Sequence, residues 1–256
     1  PPVLISFIIM NILFVAIVGF FCVLMAGRSR KTVMEAVDLQ NMNTQLSRYF
    51  SPNVVKKMAG AESSFFKPGG SVHDVAVLFS DIRSFTTISE SIPPDEVLRL
   101  LSDYQQRMTG AIFKHSGTLD KFIGDGIMAT FGTPDPAPDD AERAVLAGLE
   151  MMRALAAMNT ERKAAMLPPI RHGIGIHFGP ALVGNVGTSE RLEFTVIGDT
   201  VNAASRIESA CKETGREFLI SKQVMESSRL SIETEDLGFI EVRGKNVPLN
   251  IFAPRF

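Results

Sequence analysis

The chain has no tryptophan, two tyrosines and two cysteines in 256 residues. Cys22 sits in an apolar run and Cys211 in an expected helix, so there is no disulfide framework, and the composition fits a reducing compartment. Basic excess is missing too. Of 26 Lys and Arg, three (Arg28, Arg30, Lys31) precede position 32 where no acid occurs, leaving 23 against 28 Asp and Glu. A mildly acidic remainder argues against nucleic acid as the main partner, because a phosphate backbone demands a basic surface. The four histidines show no ligand spacing. His172 and His177, five apart on an expected strand, face opposite sides of a sheet and read as structural rather than as zinc ligands. There is no internal repeat or low-complexity tract, and the one breaker-rich stretch, Gly132 to Pro138, reads as a loop.

What is present begins with Val3 to Ala26, an uncharged run of Ile, Val, Leu, Phe and Met long enough as a helix to cross a bilayer core of roughly 30 Å. A buried core helix is the other reading of such a run. The positive charges follow it instead of leading it, which is unlike a signal peptide and places the remainder on the cytoplasmic side. The expected organisation is a transmembrane helix at 1–27, a linker or transducing helix at 28–50, and one catalytic-sized domain at 51–256. With no initial Met, the chain reads as the tail of a longer receptor-like protein with an upstream sensor. In the linker Met34, Val37, Asn41 and Thr44 fall at three- and four-residue steps, as in a short coiled coil or a solvated helix.

About 200 residues suffice for one compact α/β domain. Pro93-Pro94-Asp95 opens a helix whose Val97, Leu100, Leu101, Tyr104, Met108 and Ile112 form one apolar face. Asp139-Asp140 caps a second helix with Val145, Leu149 and Met152 inward, and Arg171 to Phe178 returns as a strand. The order strand, helix, hairpin, helix, strand predicts a ferredoxin-like α+β core, a central mixed sheet with helices on one face.

Two segments carry acids where apolar runs meet turns. Val75 to Phe79 is continuously apolar and ends in Ser80-Asp81, as a strand buried on both faces does. Gly124-Asp125-Gly126 separates two apolar stretches, a hairpin signal with Asp125 at its tip. If the strands are neighbours the carboxylates converge, and two hard oxygen donors with room for water and phosphate describe a Mg²⁺ or Mn²⁺ site. Ordinary turn chemistry produces the same residues. In Phe194 to Arg206 a strand, a turn at Gly198 and a helix follow one another; Asp199 is placed to cap it, and Asn202 and Arg206 share a face one turn apart.

With Tyr49-Phe-Ser-Pro52, Phe79-Ser-Asp-Ile-Arg-Ser-Phe85, Leu119-Asp-Lys-Phe-Ile-Gly-Asp-Gly126, Gly175-Ile-His-Phe-Gly179, Thr200-Val-Asn-Ala-Ala-Ser-Arg206 and Arg243-Gly-Lys245 in order, the chain resembles the catalytic domains of class III nucleotidyl cyclases. Several ordered motifs over four fifths of the chain are far more specific than any one. The resemblance implies a palm-like domain, a head-to-tail homodimer with shared sites, and conversion of ATP to 3′,5′-cyclic AMP and pyrophosphate. It implies two divalent cations on Asp81, Asp125 and the Ile82 carbonyl, Arg206 at the α-phosphate, Asn202 at the ribose and Lys245 at the outer phosphates.

Lys121 and Thr195 stand where the family chooses its base. An ammonium donates to adenine N1 and would clash with the N1–H of guanine, while a Thr hydroxyl accepts from the adenine amino group but also donates. Guanine-specific members place an acid at Lys121, and many adenine-specific ones place Asp at Thr195. Some members with Thr there respond to bicarbonate. Pro180 departs from relatives that carry a phosphate-binding Arg in that region. A guanylate cyclase, or a degenerate domain kept for dimerisation or sensing, is the alternative; a diguanylate cyclase is disfavoured by the absence of a Gly-Gly-Asp/Glu-Glu-Phe hairpin.

Overall fold

The structure, a computed structural model, describes residues 51–59, 67–188, 190–240 and 248–255, with scattered positions between 10 and 34. Two compact units are distinguished, Pro1–Phe50 and Ser51–Phe256. In the first, the described positions are helical and exposed. Among the described residues no helix is long and apolar enough to cross a membrane, so no described helix meets the expectation of a spanning segment at 1–27. Most of that run lies outside the described residues, as does all of 28–50 except Arg30, Val33 and Met34.

The second unit begins with α1 (Pro52–Ala59), β1 (Gly69–Ile82), α2 (Phe85–Ser91) and α3 (Pro94–Lys114). The hairpin β2 (Thr118–Ile123) and β3 (Gly126–Phe131) leads into α4 (Asp140–Ala164) and the long β4 (His172–Gly187). Then come β5 (Leu192–Ile197), α5 (Asp199–Thr214), β6 (Phe218–Ser221), α6 (Lys222–Ser227), β7 (Thr234–Ile240) and β8 (Leu249–Pro254). The strands form one sheet in the order β2-β3-β1-β4-β6-β8-β7, with β5 paired to β4. Among the described residues only β4 and β6 run parallel; the other pairs are antiparallel, so the sheet is mixed as expected. Its first four strands, with α3 and α4 as crossovers, are the ferredoxin-like core.

Helices cover both faces, not one. Successive residues of a strand point to opposite sides, and Val75, Ala76, Val77 and Leu78 are all fully buried. Ala76 and Leu78 pack with Tyr104 and Met108 of α3 and with Val145 and Met151 of α4. Val75 and Val77 pack with Met128, Val183 and Val196, and with Ala204 of α5. A strand that is apolar at every position needs cover on both sides, and α5 supplies the second layer.

The predicted stripe of α3 holds: Leu100, Tyr104, Met108 and Ile112 are buried, and Pro94 occupies its first turn. Helix caps differ from expectation. Neither Asp139 nor Gly198, the residues preceding α4 and α5, makes a side-chain cap, and Asp199 is already helical. Asp139 instead bonds Arg143, and Asp140 accepts from the Ala137 N–H at 2.7 Å. Cys211 is buried, its thiol donating to the Ile174 carbonyl at 3.3 Å.

Both inner histidines are structural, on opposite faces as their spacing predicts. His177 Nδ1 lies 2.9 Å from Ser221 Oγ. His172 Nε2 lies 3.1 Å from Met152 Sδ, and its Nδ1 lies 3.0 Å from Tyr104 Oη, which is 2.9 Å from Ser80 Oγ. Because a thioether only accepts, Nε2 carries the proton, Nδ1 accepts from the tyrosine, and the tyrosine accepts from Ser80. Burial pushes His172 down to about 3, which keeps it neutral in this chain of bonds. The network ties β4 and α3 to the strand residue immediately before Asp81.

Candidate active site

Asp81 and Asp125 meet. β1 and β3 pair with Ser80 opposite Ile127, and β2 and β3 pair with Ile123 opposite Gly126, leaving Gly124-Asp125 as a two-residue loop beside the end of β1. Gly124, at φ +64°, takes the left-handed conformation that such a loop needs. Gly126 keeps the gap open, since a Cβ there would stand 3.2 Å from Asp81 Oδ1. Asp125 Oδ2 accepts from the Ile82 N–H at 3.2 Å.

The carboxyl of Asp81 is pushed up to about 7, first by burial, then by the hydrogen-bonded, like-charged Asp125 and by Glu208, against a smaller pull from Arg83. Two acids held this close cannot both ionise without a counter-charge. Among the described residues no cluster of three or more His, Cys, Asp or Glu forms a metal cage. Two hard carboxylates at a strand end with adjacent backbone fit Mg²⁺ or Mn²⁺ that takes its remaining ligands from water and phosphate, not a full protein cage.

A second cluster gathers around Lys121 and Thr195. The Thr195 hydroxyl donates to Asp120, 2.9 Å from Oδ1 and 3.0 Å from Oδ2. Lys121 Nζ lies 2.5 Å from Glu193 Oε1 and 3.4 Å from Asp120 Oδ2. The Asp120 side chain is 4% exposed. Burial raises its pKa, with Lys121 and Thr195 acting against it. Burial pulls Lys121 down, yet Glu193 and Asp120 outweigh it and raise its pKa, so the ammonium persists.

Asn202 and Arg206 stand on α5, Asn202 exposed and Arg206 half-buried. Glu208, two residues beyond Arg206, is buried, 3.6 Å from Arg83 and close enough to raise Asp81. Residues two apart on a helix leave it roughly 200° apart, so Arg206 stands off the face of α5 that presents Glu208 to Arg83. No hydrogen bond or ion pair joins Asn202 or Arg206 to Asp81 or Asp125. Near Pro180, the Thr200 hydroxyl donates to the Pro180 carbonyl at 2.7 Å. Lys245 lies outside the described residues.

The family model described as adenylate and guanylate cyclase catalytic domain matches residues 69–252. The chain belongs to that family. Adenylate cyclase 1 of Rhizobium meliloti is 37% identical over 207 residues, 80% of this chain and 30% of the relative. An adenylate cyclase of Anabaena cylindrica is 39% identical over 190 residues, 71% of this chain and 37% of the relative. The chain therefore spans about a third of the length of these curated relatives. Among solved structures, the adenylyl cyclase CyaB from P. aeruginosa matches with TM-score 0.68 and 34% identity, covering 74% of this chain and 97% of that one. The guanylyl cyclase Cya2 matches with TM-score 0.67 and 35% identity, covering 73% and 94%. Overall likeness to the two is nearly equal, so the base must be argued from side chains.

Four residues of this cyclase domain escaped the sequence reading: Asp120, Glu193, Arg83 and Glu208. Alternation would send Asp120 and Lys121 to opposite faces, but the β2–β3 register shifts between Leu119 and Lys121, and the irregularity lets both reach Thr195 and Glu193. Glu208 did leave a signal: an acid inside the buried stripe Ala203, Ala204, Ile207, Ala210 and Cys211.

The carboxylate pair sets a pH dependence. An unfolded Asp81 titrates near 3.8 and the folded one near 7, so between these values the folded chain retains a proton that the unfolded chain has released, and stability falls as pH rises. In EDTA, Asp81→Asn should melt above the parent at about pH 8 and level with it at about pH 4, and added Mg²⁺ should narrow the gap. Parallel melting curves at every pH would mean the repulsion is absent.

Proposed function

We propose that the chain is the catalytic part of an adenylate cyclase that converts ATP to 3′,5′-cyclic AMP and pyrophosphate at sites shared by two copies arranged head to tail. The observation that carries the choice of ATP is the Thr195–Asp120 hydrogen bond. A carboxylate only accepts, so it consumes the Thr195 proton and leaves the hydroxyl oxygen as an acceptor. An acceptor suits the adenine amino group and repels guanine O6. Lys121 has three donors, and two partners occupy at most two of them, which leaves one N–H for adenine N1.

In the reaction the ribose 3′-oxygen bonds to the α-phosphorus, its proton leaves, and the bond to the pyrophosphate oxygen breaks. Divalent cations, when bound, supply positive charge at the phosphates and acidify the attacking hydroxyl. Asp81, Asp125 and the backbone at Ile82 would hold them. Arg206, whose guanidinium has no hydrogen bond or ion pair among the described residues, is available to the α-phosphate oxygens where charge grows. Asn202, one turn earlier on the same face, would orient the ribose. Lys245 would hold the outer phosphates. With Arg206 on a face of α5 other than the one that carries Glu208, the two sets would complete a site across a pair of chains, and each pair would hold two sites.

Val3 to Ala26, uncharged and followed by Arg28, Arg30 and Lys31, supports a membrane anchor with the catalytic domain on the cytoplasmic side, joined through residues 28–50. Recovery of the chain in the soluble fraction would defeat the anchor.

Mixing Asp81→Ala with Arg206→Ala chains, each inactive alone, should restore one working site per mixed pair, roughly half the activity of a parent dimer. Verified mixing without recovery would overturn the shared site. With Mn²⁺ the parent should form cyclic AMP from ATP in preference to cyclic GMP from GTP. Asp120→Ala should cut that preference roughly tenfold by leaving the Thr195 proton without its acceptor. A parent that favours GTP would replace the adenylate reading with a guanylate one, and a parent inert toward both would favour a sensing or dimerisation module.

A further inference from the structure

Arg83 stands two residues beyond Asp81, and its guanidinium is drawn to Glu208. Nη2 lies 3.6 Å from Glu208 Oε1 and 3.5 Å from the Glu208 carbonyl oxygen. Their side chains are 20% and 11% exposed, and Oε1 accepts no hydrogen bond although it is buried. A buried pair with such loose geometry recovers little of its desolvation cost, so fold stability does not account for it. The backbone nevertheless makes room for it. Gly173 lies opposite Asp81 in the β1–β4 register, and a Cβ there would collide with both Arg83 Nη2 and Glu208 Oε1. At Gly175 a Cβ would stand 2.6 Å from Glu208 Cα, so glycine lets α5 lie directly on β4 and brings Glu208 to this end of the sheet.

The position matters because Arg83 is the protein's own rival for the carboxylate pair. A guanidinium matches a carboxylate in shape and charge, and Arg83 already acts on Asp81 electrostatically. We propose that Glu208 is a positioning residue that holds the Arg83 guanidinium off Asp81 and Asp125, leaving those oxygens to divalent cations. The inference rests on the reading of Asp81 and Asp125 as cation ligands. It assigns Glu208 no contact with the cation.

The test is Mn²⁺ binding to the nucleotide-free protein, followed by the loss of the free-ion electron paramagnetic resonance signal, so that turnover plays no part. Glu208→Gln keeps the shape of the side chain and releases Arg83; it should weaken Mn²⁺ binding on the order of tenfold, the usual effect of losing a supporting partner at a metal site. Arg83→Gln should not weaken binding. The double variant Arg83→Gln/Glu208→Gln should bind at least as tightly as the parent, because no guanidinium remains to compete. Parent-like affinity in Glu208→Gln overturns the inference. So does a double variant as weak as Glu208→Gln, which would make Glu208 a ligand or a packing residue. Asp81→Asn tests the underlying reading separately: if it binds Mn²⁺ as the parent does, the cation pair itself is refuted, and Glu208 has nothing to protect.

Discussion

Mutual repulsion between two carboxylates is the constraint around which this domain is arranged. Asp81 and Asp125 come from strand ends that the sheet forces together, and among the described residues only Arg83 draws the Asp81 carboxyl back down, by less than burial and Asp125 raise it. Such a contact is tolerable only on a frame too rigid to let the acids drift apart. The frame is visible on all sides. β1 is clamped by apolar layers on both faces, and the Ser80–Tyr104–His172–Met152 network pins the residue before Asp81 to α3 and β4. Gly126 keeps a side chain from crowding the Asp81 carboxylate, from which a Cβ would stand 3.2 Å. Near neutral pH a retained proton relieves part of that repulsion, and a divalent cation would relieve it in the proton's place.

A second, softer arrangement governs the proposed choice of base. Hydroxyl groups are ambiguous because they donate and accept, and Thr195 alone would not discriminate adenine from guanine. Asp120 removes the ambiguity by taking the proton. This arrangement needs a strand irregularity that turns two adjacent residues toward one point, and it needs burial, since a solvated carboxylate would bond water as readily as Thr195. The near-equal resemblance to an adenylyl and a guanylyl cyclase shows how little the overall fold says about the base. In the proposed reading two or three polar atoms would decide it.

Helix α5 links the two ends of this scheme. One face lies on β4 through Gly173 and Gly175 and presents Glu208 to the carboxylate end. About half a turn away it carries Arg206, with Asn202 one turn before. In the proposed dimer one short helix would therefore support the cation end of its own chain while contributing to the partner's chemistry.

Much of this was legible in the chain itself. A continuous apolar run ending in Ser80-Asp81, a Gly-Asp-Gly turn and a proline-opened amphipathic helix obey local rules of burial, turn geometry and periodicity, and those rules need no knowledge of the rest of the fold. They predicted β1, the hairpin with Asp125 at its tip, α3 and the order of the ferredoxin-like core. Tertiary structure alone decided that helices cover both faces of the sheet, that Asp120 breaks alternation to hold Thr195, that Asp139 does not cap, and that Arg83 meets Glu208 across 125 positions of sequence. The physical reason is common to all of these. Each depends on a distance between groups far apart in sequence or on a local departure from ideal geometry, and periodicity carries information about neither.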